Sequence, residues 1–595
     1  MEIYLQGLGV SPGIAIAPAL LFFHDRYDVP SYAITDFDAE QMRLDTAIHE
    51  TRKDLETIHD RVVTDLGERH AEIFQAHLMI LDDVGLREEL TEHLTKHQRN
   101  VEYTLDMLAK RYVQTMESIN DPRFRERTAD LLDVVDRVLR HLLDAERPNL
   151  ARLGQESIIV AHDLTPSDTA SIDTNKAIGL VIEAGSVTSH SAILARALEI
   201  PAVIGVADAP SSISAGSLVI VDGASGRIIL NPTRETCKRY SKAQQRLEER
   251  RAKLLRITKG KPARTMDNVE VMLCANIELP LEIEHSRNVN AQGIGLYRTE
   301  YLFIDRDSLP EEEEQYEAYS DVARAMTPHP VVLRTMDIGG DKFVEHLQIL
   351  KEANPQLGWR AVRFCLARPD IFKPHLRAML RASAHGAIEI MFPMISGIEE
   401  LREVKAVVAE VTQELDDAGI AHNRNIKIGS MIEIPSAVML ADLLAQESDF
   451  FSIGTNDLIQ YLLAVDRVNE KIAHLYEPAH PAVIRMIHQT AQAARAHNIP
   501  CSICGEMAGD ALYTELLLGL GITALSMAPV AIPLIRAEIS HIHLEEARTL
   551  ARRVLKMSVA EEIKAELKER HLARAKKYDY LLDSDQDALL TEKSM

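Results

Sequence analysis

The sequence predicts a multidomain α/β protein in which a small α/β domain, interrupted by a helical bundle, precedes a (β/α)8 TIM barrel. Three observations predict it. Beyond residue 262, eight short strand-like runs have helical patterns between most of them, the alternation a parallel barrel requires. Between residues 36 and 146, four long segments place apolar residues at helical spacing. Short β-branched runs with Gly-rich turns lie on both sides of that stretch, so the bundle reads as an insertion into one α/β domain, which is easy where chain ends lie close together.

The elements follow in order. From Ile3 to Phe23, Gly7, Gly9, Pro12, Gly13 and Pro18 punctuate short apolar runs, the pattern of strands joined by tight turns. From Asp36 to Leu66, Met42, Ala47, Ile48, Leu55, Ile58 and Val62 recur at spacings near three, four and seven. Similar patterns at 70–96, 101–119 and 124–146, with Asn120-Asp121-Pro122 as a break, complete a four-helix bundle. After Pro148 the runs Ile158–Ala161, Ala177–Glu183, Ala202–Val206 and Leu218–Val221 restore the α/β texture. Residues 234–256, charged and free of Gly and Pro, read as a linking helix that ends near Lys259-Gly260-Lys261-Pro262.

Barrel strands are expected at Val269–Ala275, Gly293–Arg298, Val331–Thr335, Ile388–Pro393, Ile426–Glu433, Phe450–Gly454, Ile499–Cys504 and Ala524–Met527. A helical solenoid or two smaller α/β domains would also alternate, but five of the eight ends are polar: Arg298 with Glu300, Arg334 with Asp337, Glu433, Asn456 with Asp457, and Cys504 with Glu506. Barrel chemistry gathers at such ends.

Composition narrows the function. Lys+Arg 66 against Asp+Glu 90 leaves a net charge of −24, which repels phosphodiester backbones and anionic bilayers and suits a basic protein partner. Nucleic-acid binding is therefore not expected. Five scattered cysteines give no disulfide framework, so a cytoplasmic location is expected. The N-terminus lacks the basic flank and apolar core of a signal peptide, and the least polar stretch, Gly521–Ile535, is too short to span a bilayer. No membrane insertion is expected.

The sharpest local signal is Gly185-Ser186-Val187-Thr188-Ser189-His190-Ser191-Ala192-Ile193-Leu194-Ala195-Arg196, which follows an apolar strand and opens a helix. A helix N-terminus disfavours imidazolium, keeping His190 neutral and nucleophilic, and favours an anion placed on it. In the barrel, Arg298 and Arg334 offer bidentate donors for phosphate or carboxylate, and Glu433 and Asp457 are hard oxygen ligands suited to Mg²⁺. Asn456 and, ten residues after Asp457, Arg467 add an amide and a guanidinium. The set describes a site for an anionic, metal-bridged substrate. Cys501 and Cys504, three apart on one strand, face opposite ways, so neither a disulfide nor a zinc pair is expected.

The His190 run, Gly295–Phe303, Leu333–Lys342, Asn354-Pro355-Gln356-Leu357-Gly358-Trp359-Arg360, Ser452–Leu458 and Cys504–Asp510 together resemble Enzyme I of the bacterial phosphoenolpyruvate:sugar phosphotransferase system, in domain order and over nearly the whole chain. The resemblance implies a phosphohistidine α/β domain (1–23 and 148–231), a helical domain (24–147) that binds the carrier protein HPr, a linker helix (232–262), a barrel (263–577) that binds phosphoenolpyruvate with Mg²⁺ and forms a homodimer, and a polar tail (578–595) that matches no functional element. The implied activity is phosphoryl transfer from phosphoenolpyruvate to His190, releasing pyruvate, and onward to HPr, the first step of sugar uptake by this system. By motif position, Arg298, Arg334 and Arg467 hold phosphate and carboxylate, helped by Asn456 and Asp457. Glu433 and Asp457 ligate Mg²⁺. Cys504 protonates the enolate carbon, Thr169 orients the histidine and Arg360 supports the site. Ser186 stands where the family more often has a second glycine.

Three rival assignments share features with this sequence. Pyruvate phosphate dikinase and phosphoenolpyruvate synthase share the His domain and barrel but place an ATP-binding module ahead of them, for which the 189 residues before His190 leave no room. The nitrogen-related form of Enzyme I adds an N-terminal sensory domain, which is not expected here, although a nitrogen-type carrier remains open. A silent scaffold would be free to lose His190, Arg298, Arg334, Glu433, Asp457, Arg467 or Cys504, and all are present.

Overall fold

The computed structural model describes residues 2–22, 29–66, 68–118, 122–143, 150, 153–164, 168, 172–173, 176–184, 192, 195–196, 198–258, 260–280, 282–303, 309–339, 352, 354–467, 469 and 471–578. The described chain divides between Glu249 and Arg250 into two compact units.

The first unit is built on an eight-stranded sheet of β1 (Ile3–Gln6), β2 (Leu8–Ser11), β3 (Ile14–Phe22), β4 (Ser157–Ala161), β5 (Ala177–Ile182), β6 (Ala202–Ile204), β7 (Leu218–Asp222) and β8 (Arg227–Leu230), in the order β1-β8-β7-β3-β4-β5-β6-β2. β3 and β4 run parallel, with Phe22 opposite Ala161. The chain therefore leaves the sheet at β3 and rejoins it on the neighbouring strand, which is the geometry of an insertion. Ile158, Val160, Val181 and Val203 are buried in one cluster and Ile159, Ala161, Ile182 and Ala202 in another, so these strands are covered on both faces.

The insertion contains helices Phe37–Leu66, Glu68–Leu81, Val84–His97, Val101–Ser118 and Pro122–Leu143, whose core includes Leu44, Leu55, Phe74, Leu94 and Leu108. The sequence predicts one helix over 70–96 where the structure has two. Asp83 explains the break: its Oδ1 accepts from the Leu86 N–H at 2.9 Å and caps the second helix, with Gly85 in its first turn. Helix Arg234–Thr258 follows, and Tyr240 on it is fully buried against Ile220 and Ile229, while Gln244 Nε2 donates to the Ile14 carbonyl at 3.0 Å.

The second unit is a closed parallel barrel of β9 (Met272–Ile277), β10 (Ile294–Arg298), β11 (Val331–Arg334), β12 (Ile388–Phe392), β13 (Lys427–Ile432), β14 (Phe450–Ile453), β15 (Cys501–Ile503) and β16 (Ala524–Met527), with β16 pairing back to β9. The predicted fold class holds in both units. Two strands start later than the sequence suggests. Thr265 and Val269 bond to each other in a turn with Asn268 at positive φ, so β9 begins only at Met272. Asn498 is also at positive φ and Pro500 has no N–H to donate, so β15 begins at Cys501.

Strands and outer helices share one large core, and a smaller buried cluster of Leu296, Val332, Met391, Met431, Phe450 and Cys504 fills the barrel interior. Cys501 belongs to the first cluster and Cys504 to the second, the opposite-face arrangement expected of them. Among the described residues no helix is long and apolar enough to cross a membrane.

Candidate active site

The strand rule places the site. Arg298 closes β10, Arg334 closes β11, Glu433 follows β13 and Cys504 follows β15. Asn456 and Asp457 lie in the first turn of helix Thr455–Leu463 after β14, and Arg467 lies four residues beyond that helix. All seven therefore stand at the carboxyl ends of neighbouring parallel strands.

Beneath them runs a chain of alternating buried charges. Arg334 Nη2 bonds Glu300 Oε1, and Arg334 Nη1 lies 3.2 Å from Asp337 Oδ2. Arg360 continues it, with Nη2 at 2.9 Å from both Asp337 oxygens and Nε at 3.1 Å from Oδ1. Arg360 Nη1 then donates to Gln356 Oε1 and, at 3.1 Å, to the Tyr461 hydroxyl, and lies 3.7 Å from Asp457 Oδ1. Burial opposes the Arg334 charge, but Glu300 and Asp337 outweigh it and hold the proton more tightly than usual. With its donors committed to Asp337, Gln356 and Tyr461, Arg360 acts as a strut between the loop after β11, the turn at Pro355–Leu357 and helix Thr455–Leu463. Thr299 adds a brace, its hydroxyl donating to the Arg334 carbonyl at 2.6 Å.

Glu433 is buried, and its Oε1 accepts from the Met394 N–H at 2.7 Å. Burial first, then the negative charges of Asp457 and Asp337, push its carboxyl up to about 8, against the pull of Arg334 and Arg360. Gly454 lets the next strand end approach this carboxylate, since a Cβ there would come within 2.6 Å of Glu433 Oε2. The donor set suits a hard divalent cation: two carboxylates stand at the adjacent ends of β13 and β14, in a neighbourhood with surplus negative charge. Among the described residues no group of three or more His, Cys, Asp or Glu could hold a metal alone. A cation here would draw its remaining oxygens from water and substrate, the usual habit of Mg²⁺.

Cys504 continues the ladder, its N–H donating to the Ile453 carbonyl at 3.1 Å. Asn276 Nδ2 holds the Cys504 carbonyl at 2.9 Å, and Ser526 Oγ in turn donates to Asn276 Oδ1 at 2.6 Å. Burial pushes the thiol up to about 11, so it keeps its proton at neutral pH and suits an acid rather than a nucleophile. Arg298 bonds Glu278 Oε1, and Arg467 Nη1 bonds Glu506 Oε1 at 2.8 Å.

Sequence reasoning missed Glu278, Asn276, Tyr461 and Gln356. Placing the end of the first barrel strand at Ala275, when β9 extends to Ile277, hid both Asn276 and Glu278. Tyr461 was legible in principle, four residues after Asp457 on one helix face. His190, Thr169, Ser186, residues 340–342 of the Gly-rich loop and the tail beyond Tyr578 lie outside the described residues.

Comparison with known proteins agrees in extent and order. Residues 6–127 match the family described as PEP-utilising enzyme, N-terminal, residues 153–226 the PEP-utilising enzyme, mobile domain, and residues 252–544 the PEP-utilising enzyme, PEP-binding domain. The phosphoenolpyruvate-protein phosphotransferase of Bacillus subtilis is 42% identical over 565 residues, 95% of this chain and 99% of that one. Those of Listeria monocytogenes and Haemophilus influenzae are each 41% identical, over 96% and 94% of this chain and 99% and 97% of their own. A solution structure of Enzyme I (nEIt) aligns with 41% of this chain and 99% of its own at 35% identity, with a TM-score of 0.36.

Proposed function

The chain belongs to the phosphoenolpyruvate-protein phosphotransferase family, and from that premise we propose that its barrel takes phosphoenolpyruvate, that His190 accepts the phosphoryl group as pyruvate forms, and that a small carrier protein of the HPr type receives it. The observation that carries this reading is the gathering of Arg298, Arg334, Arg467, Glu433, Asp457 and Cys504 at neighbouring strand ends of one barrel.

Each group has a task there. Arg334, locked between Glu300 and Asp337, is a fixed guanidinium for the phosphate. Arg298 and Arg467 complete the grip on phosphate and carboxylate, and Asn456 adds an amide. Glu433 and Asp457 would hold a divalent metal, which we take to be Mg²⁺ and which supplies charge neutralisation on the transferring phosphoryl. Cys504 delivers its retained proton to the enolate carbon, and Asn276 fixes the backbone from which it does so. Arg360 positions Asp337 and Tyr461. Because His190 must meet the barrel and then the carrier, transfer calls for movement of the first unit, with the flanks of helix Arg234–Thr258 as hinges.

The same reading has the helical domain dock the carrier, the barrel form a homodimer and the reaction run in the cytoplasm. Support for carrier docking comes from residues 36–66, where nine acidic and four basic side chains give 4 − 9 = −5. Asp54 and Asp60 on that helix have 44% and 85% of their side chains exposed. The test is labelling of added HPr from labelled phosphoenolpyruvate with Mg²⁺. Labelling is expected to vanish in His190→Ala and to slow in Asp54→Lys and Asp60→Lys more at low salt than at high. Carrier labelling that survives His190→Ala would refute the reading.

A further inference from the structure

Three arginines at the strand ends each meet a glutamate, and the three glutamates differ in burial. The side chain of Glu300, on Arg334, is fully buried; that of Glu278, on Arg298, is 12% exposed; that of Glu506, on Arg467, is 75% exposed. Removing a carboxylate from a buried pair strands a charge, whereas an exposed carboxylate exchanges its ion pair for water at little cost. Glu506 alone of the three is free to yield.

Its contacts are those a substrate anion would use. Glu506 Oε1 accepts from Arg467 Nη1 at 2.8 Å and from Asn456 Nδ2 at 3.1 Å. The backbone beneath is fixed: the Glu506 N–H donates to Asn456 Oδ1 at 3.0 Å, and Gly505 sits so close to Thr455 that a Cβ would lie 1.8 Å from its Oγ1. Rotation of one side chain therefore clears both donors without moving the strand end.

We infer that the Glu506 carboxylate competes with the substrate for Arg467 and Asn456, yielding to phosphoenolpyruvate and reclaiming both donors from pyruvate. The inference rests on the reading that these two residues bind phosphoenolpyruvate. The asymmetry is electrostatic. Phosphoenolpyruvate brings a phosphate and a carboxylate to the three arginines and outbids a single carboxylate. Pyruvate has lost the phosphate and competes with Glu506 on equal terms, which speeds its release. Glu506 is thus a gating residue for product release and touches no reacting atom.

The test uses the full-length protein with Mg²⁺, titrated with phosphoenolpyruvate and separately with pyruvate, in wild type, Glu506→Gln and Glu506→Asp. Glu506→Gln is expected to bind pyruvate about tenfold more tightly and to lower both KM and kcat, because product leaves more slowly. Glu506→Asp, which keeps the charge, is expected to stay near wild type. Weaker binding of both ligands by Glu506→Gln would show that Glu506 only orients Arg467, and unchanged binding would show an idle surface pair; either overturns the inference. Wild type that binds no phosphoenolpyruvate would instead strike the functional reading on which it stands.

Discussion

Among the described residues of the barrel unit, two buried glutamate–arginine networks are built to opposite specifications. The second ties the last described helix, Ala560–Tyr578, to helices Ala511–Leu520 and Ile532–Ile539. There Glu515 takes Arg570 Nε at 3.1 Å and Arg574 Nη1 at 2.7 Å, and Glu538 takes Arg574 Nε at 2.7 Å. The two buried carboxylates meet two guanidiniums and the charges cancel, with the exposed Glu546 3.6 Å from Arg570 and His571 3.4 Å from Glu538 at the margin. At the strand ends, Arg334 and Arg360 face Glu300, Asp337, Glu433 and Asp457, two cations against four carboxylates. The surplus shows in Glu433, pushed up to about 8 with the charges of Asp457 and Asp337 among the causes. A balanced network has nothing left to bind and serves as a staple. An unbalanced one is stable only in company, which is how a site for a metal and a charged substrate differs from a strut.

The largest effect expected from breaking this contrast is at Glu433. Glu433→Gln should cut phosphoenolpyruvate turnover at least about 100-fold while leaving the thermal midpoint unchanged or raised, because a buried carboxyl in a crowded acidic site is relieved. Steady-state assay and calorimetry on one preparation read both. In the staple the pattern inverts. Arg574→Ala removes the guanidinium from Glu538, fully buried, and should cost about 3–5 kcal/mol in urea unfolding with kcat intact in the folded protein. Activity lost at an unchanged unfolding midpoint would erase the distinction.

The cysteines sharpen it on a finer scale. Cys504→Ala should slow pyruvate formation by about 100-fold and spare phosphoenolpyruvate binding, whereas Cys501→Ala, in the core between strands and helices, should cost about 1 kcal/mol of stability and leave turnover alone. The reverse ranking, or a reversible oxidative loss of activity requiring both, would favour a redox pair.

A pH-dependent contrast concerns His375, fully buried behind the site, where Nδ1 meets Gln315 Oε1 at 2.8 Å and the Tyr319 hydroxyl at 3.2 Å. Burial drives its pKa down to about 3, against the opposing charge of Glu300. The unfolded chain, with an ordinary value of about 6.5, takes up the proton first. Its contribution is complete above pH 6.5 and is lost progressively as the pH falls toward 3. Urea midpoints of wild type should therefore decline over that interval more steeply than those of His375→Gln, and parallel declines would show that this group does not set the slope.

Much of this site was legible because the barrel imposes a rule. Once strands are assigned, polar residues at their ends declare themselves, and Arg298, Arg334, Glu433, Asp457 and Cys504 stand where that rule places them. What the rule cannot give is pairing. Glu300 with Arg334, Asp337 with Arg360 and Arg360 with Tyr461 are 34, 23 and 101 residues apart, and only strand pairing and the folding of the connections after the strands bring them together. The break between the helices ending at Leu81 and beginning at Val84 is local and could have been read from Asp83 and Gly85. Exposure separates Glu506 from Glu300, and no spacing in the sequence encodes it.

The central claim is that the barrel hands a phosphoryl group to His190. It is tested most directly by incubating the full-length protein with labelled phosphoenolpyruvate and Mg²⁺, measuring pyruvate released and label bound, and locating the label by peptide mapping. An acid-labile, base-stable label is expected on His190, matched by an equal amount of pyruvate and absent from His190→Ala. Label on another residue, or pyruvate released in step with label in His190→Ala, would contradict it.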